Sequence, residues 1–190
     1  MRRVCIFLVR IFILSIFRIK VEGIENFPKN GGAILAVNHR SNWDVVVIGV
    51  VTPRTLRFMA KAELFKNKLF GGLISMLGAF PVKRGKGDIG AIKGAMGILK
   101  NGEVMLMFPE GRRSTGDSAS AKGGVVVISQ MAQVPIIPAY ISGEYKFMRK
   151  ITIRFGEPIT ISKEQKLTSE EVQNKADDVM KKVRLLKVDC

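Results

Sequence analysis

The sequence is poor in the residues that usually build transition-metal sites and disulfide frameworks. Its 190 residues include two cysteines, Cys5 and Cys190, at opposite ends of the chain, and a single histidine, His39. Structural zinc sites take Cys and His ligands, and small disulfide-stabilised domains are dense in cysteine. The composition therefore excludes a zinc site built from Cys and His, and we predict no metal site and no bound cofactor.

The sequence also lacks an uninterrupted apolar run long enough to cross a bilayer. Residues 4–19 are almost wholly apolar, but as a helix these 16 residues span about 24 Å, whereas a bilayer core needs ~30 Å. Arg10 interrupts the run, and on a helical wheel it aligns with Arg3, while Arg18 lies about 80° away. An apolar helix with a narrow basic stripe is typical of helices that lie in the membrane interface.

We therefore expect residues 1–20 to be an interfacial membrane anchor, followed by one domain formed by residues 21–190. The protein would then be peripheral or monotopic on the cytoplasmic side of the cell membrane. Three alternatives stay open at this point: a short spanning helix, a signal peptide and a buried core helix. Arg10 and the missing small-residue cleavage site disfavour a signal peptide, and three arginines disfavour a core helix.

Acidic residues are few relative to basic ones. The chain has 31 Lys and Arg against 16 Asp and Glu, a formal net charge of +15. Such a surface attracts polyanions, among them nucleic acid, anionic lipid headgroups and phosphorylated substrates. A basic nucleic-acid-binding module is therefore an alternative function. The low aromatic content of 7% and the lack of a recognised nucleic-acid motif argue against it, so we expect no nucleic-acid partner.

Short apolar runs alternate with helical patterns along the rest of the chain, which indicates an α/β class. We predict a single layered domain with a mainly parallel or mixed sheet flanked by helices, preceded by the N-terminal amphipathic membrane helix. The predicted strands are residues 33–37, 56–60, 79–82, 104–108, 136–141 and 151–155. The predicted helices are residues 44–51, 88–100 and 122–133, together with a last helix that opens at a Thr168–Glu171 capping box.

His39 and Asp44 are candidates for acid–base chemistry. An imidazole is the usual general base for an alcohol, and a carboxylate can orient it and stabilise its protonated form. In one ideal helix the two side chains would lie about 140° apart, so His39 must sit in a loop and Asp44 in the first helical turn. The alternative is a plain helix start, with Ser41 as the cap and Asp44 favouring the helix dipole.

Two further clusters follow predicted strands and carry basic residues. Residues 109–113 (PEGRR) combine a carboxylate, a glycine and two guanidiniums, which suits phosphate binding. Residues 83–87 (KRGKG) form another candidate phosphate loop without Walker spacing. The alternative for both is a solvated charged turn. If the strands are parallel neighbours, both clusters and the His39 loop lie along one edge of the sheet, where ligands of α/β sheets bind.

Four ordered blocks resemble the glycerolipid acyltransferase family, and within it the bacterial 1-acyl-sn-glycerol-3-phosphate acyltransferases. The third block has Arg112 where the family usually has Thr, and the second has Lys83 where it often has Asp. The blocks span residues 38–141, about half the chain. They are NHRSNWD (38–44), GAFPVKR (78–84), FPEGRRS (108–114) and VPIIPAYI (134–141).

The resemblance implies transfer of an acyl group from acyl carrier protein or coenzyme A to the sn-2 hydroxyl of lysophosphatidic acid at a membrane surface. His39 would be the general base and Asp44 would orient it. The missing G-x-S-x-G nucleophile motif agrees with direct transfer without an acyl-enzyme. Another lysolipid acceptor is the alternative, and the oligomeric state stays open. The acceptor site implied by the resemblance comprises Arg84, Glu110, Gly111 and Arg113.

Overall fold

A computed structural model describes residues 2–82, 89–113, 121–162 and 167–188, and these parts form one α/β layer structure. The helices are α1 (Arg2–Ile16), α2 (Trp43–Val51), α3 (Lys68–Met76), α4 (Ile89–Lys100), α5 (Gly124–Ala132) and α6 (Ser169–Leu185). The strands are β1 (Arg18–Glu22), β2 (Ala33–Val37), β3 (Leu56–Lys61), β4 (Ala79–Val82), β5 (Val104–Met107), β6 (Ile136–Gly143) and β7 (Lys150–Phe155).

The strands form one mixed sheet in the order β1-β7-β6-β2-β5-β3-β4. Strands β6, β2, β5, β3 and β4 run parallel to one another, whereas β7 pairs antiparallel with β6. Strand β1 pairs parallel with β7 and so also runs against the central strands. This confirms the predicted mixed sheet flanked by helices.

The central strand β2 separates two apolar cores. All five of its residues are buried, which explains why its sequence is a continuous apolar run. Leu35 packs on the side of α1 and α2, and Ile34 packs on the side of α4, α5 and α6. Each fully buried side chain of this size stabilises the fold by roughly 1.5–3 kcal/mol, so the two cores fix the sheet between its helix layers.

The N-terminal segment departs from its predicted extent. Helix α1 ends at Ile16, and the next residues from Arg18 onward form the edge strand β1. The predicted anchor therefore includes the beginning of the sheet. One side of α1 packs on the core through the fully buried Ile13. Within the described ranges, no helix combines the length and apolar character needed to cross a membrane.

The remaining elements follow the predicted pattern, with two omissions. Strand β4 has its predicted bounds, β5 ends one residue earlier at Met107, and the Thr168–Glu171 capping box is present. The residue expected to start α4, Asp88, lies outside the described residues. Strand β1 and helix α3 were not predicted. Strand β1 begins within the segment predicted to be the anchor, and α3 lies in a segment for which no element was predicted.

Candidate active site

The parallel arrangement brings two of the predicted motifs to one edge of the sheet. Strands β2 and β5 are neighbours, and they end at Val37 and Met107 respectively. The loop that carries His39 and the turn that carries Glu110 therefore leave the sheet side by side at its carboxyl edge. This is the edge at which α/β proteins usually bind ligands. Strand β4 ends at the same edge, but the predicted site residue Arg84 lies outside the described residues.

His39 and Asp44 form the predicted pair. The Nδ1 atom of His39 lies 2.9 Å from Oδ2 of Asp44, with His39 in the loop and Asp44 in the first turn of α2. An ionised carboxylate can only accept, so Nδ1 carries the hydrogen, and in the neutral imidazole Nε2 then carries the lone pair. The side chain of Asp44 is 2% exposed and that of His39 is 17% exposed. Nε2 is therefore placed to receive a proton from a bound hydroxyl.

The carboxylate of Asp44 accepts three further hydrogen bonds. The backbone N–H groups of Arg40 and Ser41 donate to Oδ2 over 2.6 and 2.7 Å. The hydroxyl of Tyr145 donates to Oδ1 over 2.5 Å. Burial raises the pKa of Tyr145, and the negative charge of Asp44 raises it further. The phenol therefore stays protonated and remains a donor to the carboxylate.

The plain helix-start alternative is wrong about the cap. The N-cap position of α2 is Asn42, which makes no capping bond with its side chain. Ser41 instead accepts a long hydrogen bond of 3.3 Å from the N–H of Trp43. The carboxylate of Asp44 reaches back to the loop and satisfies the backbone N–H groups there, so its position in the first turn serves both the helix and His39.

Phe108 joins the two motifs. Its ring stacks on the imidazole of His39 with centroids 3.9 Å apart and an interplanar angle of 16°. Phe108 directly follows β5, so the PEGRR turn and the His39 loop are in contact through these two rings. The stack covers one side of the imidazole and limits its rotation, which leaves the in-plane Nε2 lone pair as the reactive direction.

Glu110 and Gly111 build a tight turn after Phe108. Glu110 is 7% exposed, and its Oε2 has no hydrogen-bond partner among the described residues. Gly111 has φ of 68°, and an added Cβ would lie 2.7 Å from the side chain of Lys122. Its N–H donates to the carbonyl of Phe108 over 2.9 Å. Arg112 and the predicted site residue Arg113 follow on the exposed surface.

Asn38 fixes the start of the His39 loop. Its amide donates to the carbonyl of Ile141 over 3.2 Å and accepts from the N–H of Ile141 over 2.8 Å. The side chain thereby extends the pairing of β2 with β6 by one residue beyond Val37. Asn38 is 3% exposed, so both bonds are shielded from water.

Three contributors to the site were missed by the sequence analysis. Asn38 and Phe108 lie inside the quoted motifs, but their contacts depend on which strands are neighbours. Tyr145 lies 101 residues after Asp44 and belongs to no motif, so no spacing pattern points to it. Among the described residues, no group of three or more His, Cys, Asp or Glu is placed to hold a metal ion.

Known proteins with similar sequences are acyltransferases. A family model described as Acyltransferase matches residues 18–142. The 1-acyl-sn-glycerol-3-phosphate acyltransferase of Bacillus subtilis is 37% identical over 147 residues, which cover 74% of this chain and 73% of that protein. The Streptococcus pneumoniae protein of the same name is 37% identical over 153 residues, covering 77% of this chain and 57% of that protein.

A solved structure shares the fold over the whole chain. The crystal structure of the 1-acyl-sn-glycerophosphate (LPA) acyltransferase PlsC from Thermotoga maritima matches with a TM-score of 0.76 and 26% sequence identity. The match covers 100% of this chain and 82% of that chain.

We expect Asn38→Ala to lower the free energy of unfolding by about 2–4 kcal/mol, because it leaves the buried N–H and C=O of Ile141 without partners. Urea denaturation measures the change. Asn26→Ala is the matched control, since Asn26 donates one 3.3 Å bond to Phe155 from a half-buried position. Equal losses for the two variants would show that Asn38 does not hold the loop to β6.

Proposed function

The chain belongs to the acyltransferase family, and from this membership we propose that it transfers a fatty acyl group to the sn-2 hydroxyl of 1-acyl-sn-glycerol-3-phosphate, giving phosphatidic acid. The donor in this proposal is an acyl thioester of acyl carrier protein or coenzyme A. The observation that supports the proposal is the contact between the partly buried His39 and the buried Asp44, because His39 lies in the loop that leaves the carboxyl edge of the sheet.

In the proposed reaction, Nε2 of His39 takes the proton of the sn-2 hydroxyl as its oxygen attacks the thioester carbonyl. The carbon–oxygen bond forms and the carbon–sulfur bond breaks. The proton then passes from the imidazolium to the departing thiolate, which leaves as a free thiol. Asp44 stabilises the imidazolium through the 2.9 Å contact with Nδ1. The same sequence of steps serves either donor, since both present a thioester.

The proposed acceptor site lies on the turn after β5 and on the segment after β4. Arg113 is exposed after the turn that follows β5, and Arg84 lies in the second basic segment of the sequence. Guanidiniums bind phosphate with paired, charge-assisted hydrogen bonds. Glu110 cannot attract the phosphate. A buried carboxylate oxygen without a partner is costly, so in this proposal it accepts a hydrogen bond from an acceptor hydroxyl or an arginine.

We propose further that α1 binds the protein to the cytoplasmic leaflet of the cell membrane. While Ile13 packs on the core, the other side of α1 exposes a set of large apolar side chains, which water solvates poorly and lipid accepts. Arg10 is exposed on the same helix and can reach anionic headgroups. The exposed apolar residues of α1 are Val4, Phe7, Leu8, Ile11, Phe12 and Leu14.

His39→Ala should lower kcat by at least ~10²-fold without unfolding the protein, because a positioned general base contributes roughly 10²–10⁴-fold and the chain has no second histidine. Asp44→Asn should be similarly damaging. Release of free thiol with lysophosphatidic acid as acceptor measures both. Asp178→Asn on the exposed side of α6 is the control and should keep the parental rate. Near-parental activity of His39→Ala would falsify the mechanism.

Arg84→Ala and Arg113→Ala should each raise the apparent KM for lysophosphatidic acid by roughly 10–150-fold, the equivalent of one charge-assisted hydrogen bond. The increase should be smaller for a lysolipid acceptor that lacks a phosphate monoester. Lys181→Ala, which removes an exposed positive charge from α6, is the control and should leave KM unchanged. Equal increases with both acceptors would indicate that the arginines support the structure and do not bind the phosphate.

Replacing Phe7, Leu8, Ile11 and Phe12 together by Ser should release the protein from vesicles that contain anionic lipid, while Ile13 keeps the helix on the core. High salt alone should not release the parent protein, because salt screens charges but does not weaken apolar burial. Flotation measures both. The matched control replaces the exposed Leu69, Phe70 and Leu73 of α3 by Ser. Release by the α3 variant alone would transfer the assignment to that helix.

A further inference from the structure

Tyr145 belongs to none of the sequence motifs, but its side chain contacts the carboxylate of Asp44. It follows β6 by two residues, and its hydroxyl donates to Oδ1 of Asp44 over 2.5 Å. The other oxygen, Oδ2, accepts from His39, Arg40 and Ser41. The four bonds hold both oxygens, so the carboxylate cannot turn about its Cβ–Cγ bond without breaking some of them.

The ring of Tyr145 is itself held in place. It packs edge-to-face against Phe17 with centroids 5.7 Å apart and an interplanar angle of 74°. Phe17, just after α1, is 4% exposed and makes a similar contact with Trp43, at 5.9 Å. Trp43 precedes Asp44 in the first turn of α2. Tyr145 and Trp43, the residue before Asp44, thus pack against the same buried ring, which limits the positions from which the phenol can reach Oδ1.

We propose that Tyr145 is a positioning residue for acyl transfer, and that its hydroxyl fixes the carboxylate of Asp44 so that Oδ2 stays directed at Nδ1 of His39. The proposal rests on the proposed roles of His39 and Asp44. Tyr145 need not touch either substrate, because it acts on the base through the carboxylate. Without the phenol, Oδ1 loses its donor, and the carboxylate is held by contacts to one oxygen only.

Tyr145→Phe tests this, since it removes only the hydroxyl and keeps the ring against Phe17. We expect kcat to fall roughly 10-fold, the lower limit for a hydrogen bond to a charged group, while KM for both substrates changes less than about 3-fold. Tyr140→Phe is the matched control because Tyr140 is the only other tyrosine, and its side chain packs in the core on the opposite face of the sheet. It should keep the parental kcat.

The same change is then made in an Asp44→Asn background. If Tyr145 acts through the carboxylate, its substitution should alter kcat less than 2-fold there, because no charged carboxylate is left for the phenol to orient toward His39. A second readout does not need activity. His39 is the only histidine, so the resonance of its Nδ1–H can be read without assignment, and it should shift in Tyr145→Phe but not in Tyr140→Phe.

The outcomes separate the two proposals. An Asp44→Asn variant with near-parental activity overturns the proposed function itself. An inactive Asp44→Asn variant together with a fully active Tyr145→Phe variant overturns only the role of Tyr145. A 10-fold loss of kcat that is equal in both backgrounds, with an unshifted His39 resonance, assigns Tyr145 to packing and also overturns the proposal.

Discussion

The loops at the carboxyl edge of the sheet are organised around one buried carboxylate, that of Asp44. A buried carboxylate is costly unless its oxygens are hydrogen-bonded. Here the imidazole of His39, two backbone N–H groups and the phenol of Tyr145 supply four donors. These donors come from the loop after β2 and from the segment after β6. The need to satisfy one charge therefore fixes how these two segments meet, and their meeting sets the direction of the imidazole.

The PEGRR turn contacts the His39 loop through ring packing. Phe108 stacks on His39, and the turn that follows carries Glu110, one oxygen of which has no hydrogen-bond partner within the described part of the chain. His39 is held by Asp44 and by Phe108, whereas the hydrogen bonds of Glu110 on the neighbouring turn are incomplete among the described residues. A side chain whose hydrogen bonds are complete is already oriented before a ligand binds. A buried carboxylate with a free acceptor favours a ligand that donates a hydrogen bond to it. The division agrees with a base and an acceptor site on neighbouring strands.

The structural features predicted correctly from the sequence are those that depend on a few neighbouring residues. The buried run of β2, the bounds of β4 and the Thr168–Glu171 capping box could be recognised because burial and capping act over a few residues. The edge strand β1 was missed because it continues an apolar run from α1, and only its pairing with β7 makes it a strand. Helix α3 was missed because two glycines interrupt its pattern and most of its apolar residues are exposed.

The candidate site was likewise predictable only for contacts between residues close in sequence. The spacing of His39 and Asp44 required a loop residue and a first-turn residue, and that condition is met. Asn38 and Tyr145 could not be given roles, because their partners lie 103 and 101 residues away and become neighbours only when β6 pairs beside β2. Contacts of this kind follow from strand order, which a single sequence does not specify.

The contacts that attach α1 to the sheet also fix its position relative to His39. The carbonyl of Ile16 accepts from the N–H of Met148 over 2.8 Å, Phe17 packs between Trp43 and Tyr145, and β1 continues directly into the sheet. The last turn of α1 and the loop after β6 are therefore tied to each other and to the first turn of α2, which carries Asp44. His39 therefore lies at a defined distance from the exposed side of α1, whatever surface that side contacts. In the proposed reaction, this distance would set how far the acceptor hydroxyl must lie from that surface for His39 to take its proton.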